Sequence, residues 1–273
     1  MSRRALFALG TLVVLATSAA AQTPTVTVTA TDFAFSFPDT IQAGLTTFEI
    51  VNHGTELHHM QILRLEQGKT MADFGAAMQN MQGPPPAWIS FVGGPQGGVP
   101  HGPATNATLM LAPGNYVAMC AIPSPDGKPH VARGMVKAFT VTGRAPAVVQ
   151  TGAPKADYVL TLYDYNYDTD KPLKAGRRTI LFKNTAQQFH EAFMVKLPPN
   201  VPVTALLEWM GGGMKGQPPV IPVGGIVGIG MGKENLVTMD LEPGNYGLYC
   251  FFPAPDGKEH VVHGMVKQIT VTK

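Results

Sequence analysis

Each of the two cysteines in this sequence is followed by a histidine ten positions on and a methionine fifteen positions on: Cys120, His130, Met135 and Cys250, His260, Met265. A further histidine, His58 or His190, stands some sixty residues upstream of each cysteine. A thiolate, two imidazoles and a thioether are the donors of a copper site with a trigonal His–Cys–His plane and a weak axial methionine. The alternative use of paired cysteines in an exported chain is a disulfide. A disulfide needs neither the histidines nor the methionines, yet both recur with each cysteine.

The elements that must position these residues repeat as well. Residues 111–142 and 241–272 are identical at 20 of 32 aligned positions. Upstream the match weakens but keeps register: Asp32-Phe33-Ala34-Phe35 answers Asp164-Tyr165-Asn166-Tyr167, and Asn52…His58 answers Asn184…His190. A repeat of this length is one structural unit duplicated. The expected organisation is a unit at 22–142, a Gly/Ala/Pro-containing linker at 143–155 and a second unit at 156–273. Alternating stretches such as Val26 to Thr29 and Tyr158 to Leu162 predict half-buried strands. Further strands are expected at Thr46 to Val51, Met60 to Leu65, Thr108 to Leu111, Tyr116 to Cys120 and Met135 to Val141. One helical patch is expected per unit, near Met71 to Met81 and Val203 to Met210. Pro113-Gly114-Asn115 and Pro243-Gly244-Asn245 signal tight turns before the strand that ends in each cysteine. The cysteine then closes one strand and the methionine opens the next, so three donors come from one hairpin. The upstream histidine comes from a strand packed beside it. Many short strands with little helix predict an all-β fold of two tandem Greek-key β-sandwiches.

Composition narrows the function classes. The formal net charge is +2 and charged residues are 14% of the chain, so no basic stripe for nucleic acid is present. Arg3 and Arg4, the apolar run Leu6 to Ala16 and Ala19-Ala20-Ala21 read as a cleaved signal peptide, residues 1–21. That run is too short to span a bilayer, and the expected location is periplasmic or secreted. Ser2-Arg3-Arg4 loosely resembles the start of a twin-arginine signal.

Both repeats resemble the cupredoxin family of blue copper proteins. Cys120…His130-Val-Ala-Arg-Gly-Met135 and Cys250…His260-Val-Val-His-Gly-Met265 are similar to the type 1 copper loop of copper nitrite reductases. The resemblance implies two copper sites: His58, Cys120, His130 and Met135, and His190, Cys250, His260 and Met265. It also implies electron transfer with a redox partner protein; a copper carrier serving copper-handling proteins is the alternative. Two departures stand out. The Cys-to-His interval exceeds that of small electron carriers. His59 and Glu191 occupy the place where small cupredoxins often carry an asparagine. Copper enzymes of this type join the site to a catalytic copper through a histidine beside the cysteine. Here Met119 and Ala121 flank Cys120, and Tyr249 and Phe251 flank Cys250, so a wired catalytic copper is not expected. His53, His101 and His263 have no partner in the other repeat and read as surface residues. His59 is either an alternative donor or an outward-facing neighbour. Met78, Met81, Met210 and Met214 read as apolar filling, and the aromatic pairs Phe33/Phe35 and Tyr165/Tyr167 as sandwich core.

Overall fold

The structure is a computed structural model that describes residues 23–79, 83–144 and 153–273. The expected signal peptide, Met81 and the middle of the expected linker lie outside the described residues. The first repeat runs β1 (Thr25–Thr31), β2 (Ala34–Ser36), β3 (Thr40–Gln42), β4 (Gly44–Asn52), β5 (Gln61–Leu65), α1 (Met71–Gln79), β6 (Ile89–Gly93), β7 (Thr105–Leu111), β8 (Gly114–Met119) and β9 (Val136–Thr142). The second repeat has the same order. It comprises β10 (Tyr158–Tyr163), β11 (Asn166–Thr169), β12 (Leu173–Lys174), β13 (Gly176–Asn184), β14 (His190–Leu197), α2 (Ala205–Gly211), β15 (Ile221–Ile229), β16 (Glu234–Leu241), β17 (Gly244–Tyr249) and β18 (Val266–Thr272).

Period-two patterning decides the packing. Along β4 every second residue is buried, including Phe48 and Ile50, which turn inward against Val28 of β1 and Leu109 of β7. Such alternation places one face of the sheet on the core. Short helices α1 and α2 each cover the outer face of one sheet, through Phe74 over Leu63 and Leu65 and through Leu206 over Val195 and Leu197.

The two repeats do not simply follow one another; their sheets fuse edge to edge. One sheet has the order β11-β10-β13-β16-β7-β4-β1-β2, and the other β12-β18-β17-β14-β15-β6-β5-β8-β9-β3. The joins are β16 against β7, with Leu236 opposite Thr108, and β15 against β6, with Ile229 opposite Val92. Edge strands left open are a liability, and here each repeat covers two edges of the other. Polar side chains reinforce the joins. Asn106 exchanges hydrogen bonds with the backbone of Thr238 at 2.6 and 3.0 Å, and Asn235 binds Val92 O and Gly94 N–H at 3.0 Å each.

The repeated Pro-Gly-Asn-Tyr turns have a mechanical role. The Tyr116 hydroxyl donates to Ala112 O at 2.7 Å, and that of Tyr246 to Glu242 O at 2.9 Å. Each bond pins the turn that launches the cysteine-bearing strand, and Gly114 at φ 148° makes the turn possible. Tyr116→Phe is expected to cost about 0.5–1.5 kcal/mol, read as a lowered urea midpoint.

Candidate metal centres

Each centre is assembled from the hairpin and its neighbour. Cys120 directly follows β8, and its N–H donates to Met135 O at 3.1 Å while Val131 N–H donates back to Cys120 O at 2.7 Å. A turn through Ser124–Lys128 leads into the short 3-10 helix His130–Arg133. Gly134 ends it at φ 103°, its N–H reaching His130 O and Val131 O. That left-handed turn lets the chain reverse between His130 and Met135. The second repeat copies this with Cys250, His260–His263, Gly264 and Met265. His58 is held by reciprocal backbone bonds with Gly98 at 3.0 and 2.9 Å, ahead of β5, which pairs with β8. His190 opens β14, which pairs with β17.

The donors converge. His58 Nδ1 lies 3.1 Å from His130 Nδ1, and Cys120 Sγ lies 3.4 Å from His130 Nδ1. In the second centre His190 Nδ1 and His260 Nδ1 are 3.0 Å apart, with Cys250 Sγ at 3.9 and 3.3 Å from them. All six residues are 0% exposed, and so are Met135 and Met265, each one residue before the adjoining strand. The cysteines are free thiols rather than a disulfide.

The outer ring nitrogens explain the orientation. His58 Nε2 faces Asp32 Oδ1 at 3.0 Å, His130 Nε2 faces Glu56 Oε2 at 3.0 Å, and His190 Nε2 faces Asp164 Oδ1 at 2.9 Å. His260 Nε2 meets the amide oxygen of Gln188 at 3.1 Å. Burial opposes ionisation of Asp32, but hydrogen bonds from Thr55, Glu56 and His58 outweigh it and hold its pKa down to about 2. An ionised carboxylate only accepts, so the facing Nε2 carries the proton. Burial lowers the pKa of His58 and His190 and takes His260 to about 4, which favours neutral rings. A neutral ring protonated at Nε2 offers its Nδ1 lone pair inward. Two such lone pairs facing each other at about 3 Å, away from water, call for a cation between them.

The thiols point the same way. Burial pushes Cys120 up to about 12 and Cys250 well above the ordinary thiol range, so neither ionises unaided. A bound cation supplies the missing stabilisation. Backbone N–H groups already aim at the sulfurs, from His59 at 3.5 Å and Glu191 at 3.4 Å. Two imidazole nitrogens and a buried sulfur form a soft donor set in each group, and this fits copper.

Several sequence expectations can now be placed. His58, Cys120 and His130 come together, as do His190, Cys250 and His260. His59 turns away from the donor cluster: its Nδ1 meets Gln96 Oε1 at 3.1 Å and its Nε2 accepts from Ala121 N–H at 2.9 Å. Burial takes its pKa down to about 4 and raises that of the equivalent Glu191 to about 7. The aromatic pairs divide. Phe35 and Tyr167 are core, whereas half-buried Phe33 and Tyr165 pack edge-on against His130 and His260 with centroids 5.2 and 5.3 Å apart. Arg133 stacks on Phe33 and His263 on Tyr165, so these unlike residues fill one position over the two centres. Met78 and Met210 pack against the clusters beneath α1 and α2. Asp32, Glu56, Asp164, Gln188 and Gln96 were not singled out by chemistry, although Asp32 and Asp164 stand in matching places of the repeat.

No protein-family model and no curated protein matches this sequence. Among solved structures the chain is similar to reduced auracyanin from the photosynthetic bacterium Roseiflexus castenholzii, at 23% identity over 44% of this chain and 100% of that one, TM-score 0.30. It is similar to a copper-containing nitrite reductase from Thermus scotoductus at 11% identity over 92% of this chain and 62% of that one, TM-score 0.25. A blue copper oxidase from Nitrosomonas europaea matches at 14% identity over 92% and 86% of the two chains, TM-score 0.27. The chain's own strand order and paired donor clusters define a tandem β-sandwich protein with one buried His–Cys–His group in each repeat. Its two buried His–Cys–His groups are suited to as many as two copper ions.

Asp32→Ala removes the acceptor of His58 and of four further hydrogen bonds from Thr55 and Glu56. We expect copper affinity at the first centre to fall about 10–100-fold in competition with a chromophoric chelator, with the second centre unchanged.

Proposed function

We propose that this chain is an exported copper protein that carries electrons, one copper being held by His58, Cys120, His130 and Met135 and one by His190, Cys250, His260 and Met265. The observation that carries the reading is the convergence of two Nδ1 lone pairs and a buried sulfur, each ring fixed from behind by a hydrogen bond. Copper, when bound, supplies a one-electron couple. The protein's part is to hold the donors in one arrangement, exclude water and keep both rings in the Nε2–H form. Rigid placement favours transfer because little has to reorganise when charge changes. The donors are fully buried, which favours electron passage over attack on a bound substrate.

The units proposed to hold the metals are residues 22–142 and 156–273. Export follows from the reading of residues 1–21, and the partner is a redox protein. Among the described residues no helix is long and apolar enough to cross a membrane.

Directly behind the outer rings the two centres differ in one charge. Glu56 stands behind His130 where Gln188 stands behind His260. A carboxylate favours the more positive oxidised state, so Glu56 lowers the reduction potential of the first centre. Glu56→Gln should raise the potential of that centre, measured by redox titration. Separately, Cys120→Ser should abolish the thiolate-to-copper absorption of the first centre and leave that of the second. Intense visible absorption surviving in the Cys120→Ser/Cys250→Ser protein would show that the donors are misassigned.

A further inference from the structure

Between the two centres lies a continuous buried chain of polar groups. His59 N–H points at Cys120 Sγ at 3.5 Å, and its ring Nδ1 meets Gln96 Oε1 at 3.1 Å. Gln96 Nε2 donates to Glu191 Oε2 at 3.2 Å, and Glu191 N–H points at Cys250 Sγ at 3.4 Å. Two further bonds tie the chain to the residues after the cysteines: Ala121 N–H donates to His59 Nε2 at 2.9 Å, and Phe251 N–H to Glu191 Oε1 at 2.8 Å. His59, Gln96 and Glu191 are 8%, 4% and 7% exposed, so this contact is shielded from water.

Every role in the chain is fixed by its neighbours. Ala121 N–H occupies His59 Nε2, so the ring proton sits on Nδ1 and is given to Gln96 Oε1. The Gln96 amide is thereby oriented with its nitrogen toward the Glu191 carboxylate, whose other oxygen takes the Phe251 N–H. No other orientation of the amide satisfies both neighbours.

Gln96 breaks the symmetry of the repeat. Val92-Gly93-Gly94-Pro95-Gln96 aligns with Val223-Gly224-Gly225-Ile226-Val227, so an apolar residue fills its place in the second unit. The Gln96 segment crosses to the other repeat, with Gln96 N–H bonding Gly225 O at 3.3 Å and Pro95 bridging to Ile226. His59 and Glu191 occupy one position of the repeat and differ as a donor and an acceptor must. A structural join alone does not require this; Asn106 and Asn235 already fasten the two sheets by simple side-chain-to-backbone bonds.

We propose that His59, Gln96 and Glu191 form a bridge that couples the two centres, so that the state of one sets the reduction potential of the other. The proposal rests on the copper reading above. Each copper takes one electron from an external reductant, passing from Cu(II) to Cu(I); the bridge breaks no bond and transfers no proton. Its effect is carried by the N–H groups on the two sulfurs, whose placement depends on the residues that Gln96 holds together.

The test is a double-mutant cycle on the full-length, copper-loaded protein, reading the first centre's midpoint in a dithionite titration. Cys250→Ser in the unsubstituted background is expected to shift the first centre by at least about fivefold in its reduction equilibrium. In Gln96→Leu the same Cys250→Ser change should produce no shift, while in Asn106→Ala, which loosens the join elsewhere, the shift should persist. If Gln96→Leu does not fold, Glu191→Gln serves, since it sets two amide N–H groups against each other. Adding Gln96→Glu to Glu191→Gln exchanges donor and acceptor and should restore the shift. A shift that survives in Gln96→Leu or Glu191→Gln, or that is absent from the unsubstituted protein, overturns the bridge alone. Absence of thiolate-to-copper absorption in the unsubstituted protein overturns the copper reading and the bridge with it.

Discussion

Two imidazole nitrogens that present lone pairs to each other across about 3 Å set the terms for the rest of this molecule. The arrangement is unfavourable in an apolar interior unless a cation lies between the rings. It persists because the protons on the far side are committed to Asp32, Glu56, Asp164 and Gln188. Those acceptors have to be placed accurately, and the fold does so by short, local means. Asn52 donates to Glu56 O and Gly98 O at 2.8 Å each, and Asn184 binds Gln188 O and Ile229 O in the same way. The loop carrying each outer acceptor is therefore fastened to the segment that supports the first histidine.

The fused sheets place the centres in one continuous fold rather than on two tethered beads. β7 with β16 and β6 with β15 are edge strands of their own repeats, and pairing them satisfies backbone groups that would otherwise face solvent. The same joins bring the residues following the two first histidines within reach of a single glutamine. Duplication produced two similar centres, and several of the differences that followed fall where the copies meet or where a ring faces out. His59 against Glu191 and Gln96 against Val227 lie at the meeting point. Glu56 against Gln188 and Arg133 against His263 lie around the outer rings.

The fold was legible in the sequence because alternation, turn residues and a strong internal repeat all point one way. Strands expected at Thr46 to Val51 and Tyr116 to Cys120 lie within one or two residues of β4 and β8. The inner donors were legible because cysteine, histidine and methionine recur at fixed spacing within a single hairpin. The outer acceptors were not, because an aspartate twenty-six residues before a histidine becomes its neighbour only through the pairing of β1 with β4. Phe33 and Tyr165 were read as core because strand patterning does not foresee the positive φ that turns each toward a histidine. The fusion of the sheets left no trace at all in the pattern of either repeat, since edge strands read alike whether they meet solvent or a partner. His59 and Glu191 were noticed as departures, but their use requires knowing that Gln96 reaches across.

The measurement that bears most directly on this account is a Cu(II) titration of the metal-free protein, followed by visible absorption and paramagnetic resonance beside a free-thiol count. Two free thiols counted in the denatured metal-free protein, and strong thiolate charge-transfer absorption that saturates near two coppers per chain on loading, are the expected result. Thiols that remain titratable after copper is added, with no charge-transfer band, would contradict it.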